Sequence, residues 1–285
     1  MSDNSTEQSC PSGHSCSSCG GKCSDEKRRL HENLLGVKHI LLVMSGKGGV
    51  GKSTVATNLA MSLALQGFAT GLLDVDLHGP SVPKMLGIEG SQLMTDGEKL
   101  LPVETANLKV MSIGLSLSSP DQAVIWRGPV KYSVIQQFLA DVAWGELDYL
   151  VIDAPPGTGD EPLSVCQLLP QADGAVVVTT PQQLAATDVS KSLSFLKQVN
   201  YRVIGIIENM CGFACPHCGE VTQIFSQGAG EDLAAKYGVP FLGRIPIDPQ
   251  VCAAGDSGKP FVYSFGKSAT AKAFAQIVDA IVNRG

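Results

Sequence analysis

The chain has 285 residues, 44% of them hydrophobic, a net charge of −6 and nine cysteines; this length suits one large α/β domain with appendages, because single cores stop growing at about 250–300 residues. No basic run exceeds Lys27-Arg28-Arg29, so no footprint for nucleic acid is written here, and no stretch reads as a signal peptide or membrane span. A cytoplasmic protein with small anions and other proteins as partners is expected.

Residues 1–24 are rich in Ser, Gly and Cys and carry no hydrophobic period, so they read as a flexible tail that a metal could order. Cysteines in a reducing compartment are rarely disulfide staples. The spacing Cys10-x5-Cys16-x2-Cys19-x3-Cys23 supplies four thiolates in one chain, enough for a [4Fe-4S] cluster or a zinc ion, and a metal-free tail is the bland alternative. His14 reads as a solvated tail residue. Residues 25–35 are charged and short, a linking helix, which divides the chain into a tail and linker (1–34) and a main domain (35–285).

From residue 38 apolar runs alternate with segments of helix length. Runs at 39–44, 70–76, 108–114, 148–154, 174–180, 202–209 and 241–247 read as strands buried on both faces, and 51–66, 129–141 and 184–199 as helices between them. Strand, helix, strand in that order predicts an α/β fold, a mostly parallel sheet flanked by helices. Ligands in such folds collect at the carboxyl ends of strands.

The segment SGKGGVGKST (45–54) follows the first strand and opens a helix. It fits G-x-x-x-x-G-K-[ST] from Gly46 to Ser53, a phosphate-binding loop. Gly46, Gly48, Gly49 and Gly51, with Val50 between them, let backbone N–H groups converge on phosphate oxygens. Lys52 reaches the β- and γ-phosphates, Ser53 offers its hydroxyl to Mg²⁺, and Thr54 completes the nucleotide-binding set. Lys47 is a second lysine inside the loop; from the general motif alone it is either functional or solvated. Asp153 ends an apolar strand, which puts it beside the phosphates as a Mg²⁺ ligand, direct or through water. Asp74 and Asp76 close another strand and share one side of its pleat.

Cys215-Pro-His-Cys218 is half of a four-ligand site. Two chains meeting across a two-fold axis would complete it, as a [4Fe-4S] or a zinc site; a thiol–disulfide pair is the remaining reading. Cys211 extends the spacing to C-x3-C-x2-C, as in radical SAM enzymes, but a late position in a phosphate-loop fold is the wrong context. It is a spare ligand or a buried small hydrophobe. Near the carboxyl terminus Phe274, Ile277, Val278, Ile281 and Val282 share a helical face, which reads as core packing in preference to a membrane-surface helix.

Taken together, GKGGVGKST, DVDLHGPSVP (74–83), WRGP (126–129) and VIDAPPGTGD (151–160) resemble the Mrp/ApbC family, MinD-like deviant P-loop ATPases that act as iron–sulfur cluster scaffolds or carriers. The resemblance covers roughly residues 35–285. It implies a homodimer in which Lys47 reaches the partner's nucleotide, Asp76 orients the attacking water, Asp74 stands near the Mg²⁺ shell and Asn209 contacts adenine. It also implies slow Mg²⁺-ATP hydrolysis, a [4Fe-4S] cluster bridging Cys215 and Cys218 of two chains, and delivery to apo-proteins. The tail resembles the amino-terminal cluster of eukaryotic-type members, though its spacings are tighter. Two rivals remain at this point: a zinc-stabilised regulatory or adaptor ATPase, and a spatial-organising ATPase working on a membrane or DNA surface.

Overall fold

The computed structural model describes residues 22–116, 128–214, 221–225 and 228–284. The chain opens with α1 (Lys22–Leu34), β1 (Val37–Ser45), α2 (Lys52–Leu65), β2 (Thr70–Asp74) and α3 (Val82–Met85). Four short strands follow, β3 (Met94–Thr95), β4 (Leu100–Leu101), β5 (Val103–Thr105) and β6 (Leu108–Ser112), and then α4 (Gly128–Asp141) and β7 (Leu147–Asp153). Next come α5 (Asp160–Leu168), β8 (Gly174–Thr179), α6 (Gln183–Gln198), β9 (Val203–Ala214), β10 (Val221–Thr222) and α7 (Ala229–Tyr237). The chain closes with β11 (Phe241–Ile247), α8 (Pro249–Asp256), α9 (Phe261–Ser264) and α10 (Ala269–Val282). The seven apolar runs all form strands; the short strands and α3, α8 and α9 carry too little periodicity to announce themselves.

The main sheet has the order β10-β9-β8-β1-β7-β2-β6-β5, with β11 also paired to β9. Only β5 and β10 run antiparallel to their neighbours. Central strands alternate their side chains between two apolar cores. Leu42 and Met44 of β1, with Leu150 and Ile152 of β7 and Val177 of β8, join the core under α1, α4, α5, α6 and α7. Leu41 and Val43, with Val151, Val176 and Val178, join the core under α2, α9 and α10. Burial on both faces is why these strands read as unbroken apolar runs.

The division at residue 34/35 falls inside a packed unit. Leu30 and Leu34 are buried in the same core as Ile135 and Phe138 of α4, and Asn33 Nδ2 donates to the carbonyls of Leu139 (2.9 Å) and Val142 (2.8 Å) at the end of α4. The charged residues of α1 hide a two-leucine stripe at i, i+4, enough to dock a helix that is polar elsewhere. At the other terminus Phe274, Ile277, Val278 and Ile281 of α10 are buried and Val282 is partly so. Among the described residues no helix is long and apolar enough to cross a membrane.

Candidate functional site

The site begins where β1 ends. Strands β7 and β8 lie on either side of β1, so the Gly46–Gly51 loop leaves the sheet between diverging connections, where open α/β sheets bind ligands. Gly49 and Gly51 both have φ of +80°, the left-handed region that disfavours side chains. At Gly46 a Cβ would come within 2.5 Å of the Asp188 backbone in α6, so close packing demands glycine there. The Ser45 hydroxyl donates to the Lys47 carbonyl at 2.9 Å, and the Gly157 N–H donates to the Ser45 carbonyl at 2.8 Å. The loop and the segment after β7 are thereby tied to one residue. Lys47 is half-buried, and Gly48 and Gly49 are exposed.

Lys52, at the start of α2, is buried and folds back onto the acidic edge of the sheet. Its Nζ lies 2.5 Å from Asp153 Oδ1, 3.7 Å from Asp76 Oδ2 and 3.2 Å from Ser53 Oγ. Asp153 is fully buried and its Oδ2 has no hydrogen-bond partner. An orphaned carboxylate oxygen beside a serine hydroxyl is the donor set a magnesium ion and its water shell require, so Ser53 and Asp153 fit Mg²⁺. Burial pushes the Asp153 carboxyl above its ordinary range, against the pull of Lys52.

Asp74 faces Asp153 across the β2–β7 register, but its oxygens are already engaged. Oδ1 accepts from the Asp76 N–H at 3.1 Å and Oδ2 from the Ser112 hydroxyl at 2.9 Å. Burial, reinforced by the Asp153 carboxylate, raises Asp74 to about 8, so at neutral pH it holds a proton and braces the turn. Asp76 lies two residues beyond the end of β2, not on it as the pleat argument required, just before the turn at Leu77–His78. Its Oδ1 accepts from the His78 N–H at 3.3 Å.

Asn209, on β9, donates from Nδ2 to the Val50 carbonyl at 2.9 Å. A Cβ at Gly51 would meet that same nitrogen at 2.4 Å. Beyond this contact opens a cavity of about 550 Å³ lined by Thr54, Met210, Pro246, Ile247, Asp248 and Val251 among others. Its volume is in the range that holds a small ligand. The start of α8 on its wall escaped sequence reading, although Asp248-Pro249 directly after the strand 241–247 was a signal: Asp248 caps α8 by accepting from the Gln250 N–H at 2.9 Å.

Past Asn209, β9 bulges. Asn209 pairs with Ile245 and Phe213 with Ile247, and the extra residues fit because Met210 (φ +62°) and Gly212 (φ +67°) are left-handed; for Met210 this costs about 1–3 kcal/mol. Cys211 sits in the bulge, buried, its thiol donating to the Glu208 carbonyl and Oε1, both at 3.1 Å. Burial and the Glu208 carboxylate push the thiol far above the ordinary range. Of its two sequence readings, the buried small side chain describes this geometry. β9 then runs to Ala214 and pairs antiparallel with β10, Phe213 opposite Thr222 and Ala214 opposite Val221. Cys215 and Cys218 fall in sequence between β9 and β10 and lie outside the described residues, as do Cys10, Cys16, Cys19, His14, Trp126 and Arg127. Cys23 falls in the first turn of α1. Among the described residues no group of three or more His, Cys, Asp or Glu side chains is placed to hold a metal.

The family model of the NUBPL iron-transfer P-loop NTPases matches residues 36–282. The chain is 48% identical over 276 residues to an iron-sulfur cluster carrier protein of Methanocaldococcus jannaschii, covering 96% of this chain and 94% of that one. It is 49% identical over 257 residues to the cytosolic Fe-S cluster assembly factor NUBP2 of Rattus norvegicus, covering 88% and 95%. Among solved structures, a nucleotide-binding protein of Archaeoglobus fulgidus in complex with ADP superposes with a TM-score of 0.74 at 43% identity, covering 83% of this chain and 93% of that one. The cell division ATPase MinD of Pyrococcus furiosus, at 24% identity, shares the fold with a TM-score of 0.64 over 87% of this chain and 99% of its own.

Proposed function

The chain belongs to the NUBPL iron-transfer P-loop NTPases, and from that premise we propose that it is an ATP-dependent iron–sulfur cluster scaffold or carrier. The observation that carries the proposal is a short physical path. The phosphate loop is hydrogen-bonded through Val50 to Asn209, and Asn209 stands on the strand whose hairpin holds Cys215 and Cys218. Occupancy of the nucleotide site and the posture of the cysteine hairpin therefore share one strand.

The chemistry follows from charge. ATP phosphates entering the Gly46–Ser53 loop attract Lys52 away from Asp153 and Asp76, freeing both carboxylates. Mg²⁺ held by Ser53 and Asp153 would neutralise charge on the phosphates. Asp76, braced by Asp74 and released from Lys52, orients the attacking water. The base of ATP occupies the cavity beyond Asn209. Hydrolysis is slow, because a switch gains nothing from idle turnover.

The cargo is a [4Fe-4S] cluster held by Cys215 and Cys218 of two chains in a homodimer, with Lys47 reaching the partner's nucleotide. Cys10, Cys16, Cys19 and Cys23 hold a second cluster in the tail. Recipients are apo iron–sulfur proteins of the cytoplasm, in keeping with the names of the relatives. Those names also favour iron–sulfur cargo over the zinc-stabilised adaptor.

The test is iron, sulfide and zinc content with a visible spectrum after anaerobic reconstitution, wild type against Cys215→Ser/Cys218→Ser. The carrier reading expects about one cluster per dimer to disappear in the variant while a tail-bound signal remains. Wild-type protein that holds only zinc would sink it.

A further inference from the structure

Three charged side chains from separate elements converge beside the nucleotide site. Lys131, in the first turns of α4, places its Nζ against Glu161 Oε1 and 2.7 Å from His78 Nε2. His78 Nε2 lies 3.1 Å from the same Glu161 oxygen. Glu161 opens α5, directly after the Pro155–Asp160 segment that follows Asp153, and His78 stands in the turn that follows β2. One carboxylate oxygen thus joins the loops after β2 and β7 to α4.

The cluster is built, not incidental. The Lys131 and Glu161 side chains are only 15% and 19% exposed, whereas that of His78 is 60% exposed. Exposed ion pairs are worth little, but a screened network with a long lysine held in place is not of that kind. Burial alone would raise the Glu161 carboxyl; the hydrogen bonds from Lys131 and His78 outweigh it and hold the group below its ordinary range. Glu161 is therefore a settled anion at the positive end of α5, where helix dipoles favour one. Lys131 donates to Glu161, and His78 Nε2 is tied to this pair in either tautomer, as a donor to Glu161 or as an acceptor from Lys131.

The consequence runs through the backbone of His78. Its N–H donates to Asp76 Oδ1 at 3.3 Å, and Asp76 in turn is held by Asp74. Pinning the imidazole fixes the peptide that aims the Asp76 carboxylate. We infer that Lys131 and Glu161 are positioning residues: they clamp His78 and, through its backbone, set Asp76 for hydrolysis while making the loops after β2 and β7 move as one. This rests on the proposed role of Asp76.

The experiment pairs steady-state ATP turnover with amide hydrogen exchange on the full chain, comparing wild type, Glu161→Gln, Lys131→Met, Lys131→Arg, His78→Ala and the double variant His78→Ala/Glu161→Gln. Glu161→Gln and Lys131→Met are expected to lower kcat about 10-fold with KM for ATP within about twofold, since misplacing a catalytic group costs turnover and not binding. Exchange of the amides of residues 76–79 should quicken about 10-fold in the same variants. Lys131→Arg, which keeps the cation, should recover most of both. The double variant should lose no more than Glu161→Gln alone, because both act through one link. Unchanged exchange at residues 76–79, or losses that multiply in the double variant, would overturn the inference. Wild type that turns over no ATP would refute the hydrolase reading, and the exchange comparison would still decide whether the clamp exists.

Discussion

The carboxyl edge of the sheet is built in two ways. Its phosphate half is fixed by buried, short-range contacts: Lys52 on Asp153, Asp74 on Asp76 and Ser112, Gly157 on Ser45. Its cysteine half hangs from a bulged strand and a two-residue partner, β10. One chain can therefore fix where phosphates go by itself, whereas the described residues of β9 and β10 offer no group of three or more metal-binding side chains. On the proposed reading, this difference lets one protein bind nucleotide firmly and still let go of a cluster.

If the phosphate half is rigid because of its charges, single changes there should be severe. Asp153→Asn removes the orphaned buried oxygen's charge, and kcat for ATP should fall about 100-fold or more with the response to Mg²⁺ blunted; steady-state turnover against Mg²⁺ concentration measures it. Lys52→Ala removes a charged donor to the phosphates, and ATP affinity by calorimetry should drop about 10- to 100-fold. The same variant leaves Asp153 buried without its cation, so it should also be destabilised by about 3–5 kcal/mol in denaturant unfolding, although the upward tendency of the Asp153 carboxyl lets protonation recover part of that.

Asp74 offers a quieter probe. It is held near 8 in the folded chain and ionises at an ordinary carboxylate value when unfolded, so the folded state binds the extra proton between those values. Stability from this group is full below about pH 4 and is lost as pH rises to about 8. One proton amounts to about 1.4 kcal/mol per pH unit. Denaturant midpoints from pH 5 to 8 without nucleotide or Mg²⁺ should decline for wild type, and Asp74→Asn should flatten that slope by roughly this amount. The cysteine half should respond least. Cys211→Ser keeps a donor for Glu208, so it should cost about 1 kcal/mol or less and leave reconstituted iron unchanged; loss of iron would make Cys211 a ligand.

Much of the phosphate half was legible because its chemistry is local. Gly46–Ser53 keeps a fixed spacing, and Asp74 and Asp153 announce themselves as acids ending apolar runs. Contacts made across the fold were not legible. Lys131, His78 and Glu161 are remote in sequence and meet only because α4 packs beside α5 and the turn after β2. The cavity wall at Ile245–Ile247 is apolar and read only as the end of a strand; the Asp248-Pro249 cap that follows marks a helix start and not a binding site. The docking of α1 rests on two leucines in a charged segment, too faint a period to separate a linker from a packed helix.

The central claim is that nucleotide occupancy alters the hold on the cluster. The most direct measurement is the rate of cluster transfer from the loaded protein to an apo-enzyme that regains activity on receiving a [4Fe-4S] cluster, with and without Mg²⁺-ATP, for wild type and Lys52→Ala. The account predicts that Mg²⁺-ATP changes the wild-type rate and leaves the rate of the variant unaltered. Wild-type transfer that proceeds at one rate whether or not nucleotide is present would contradict it.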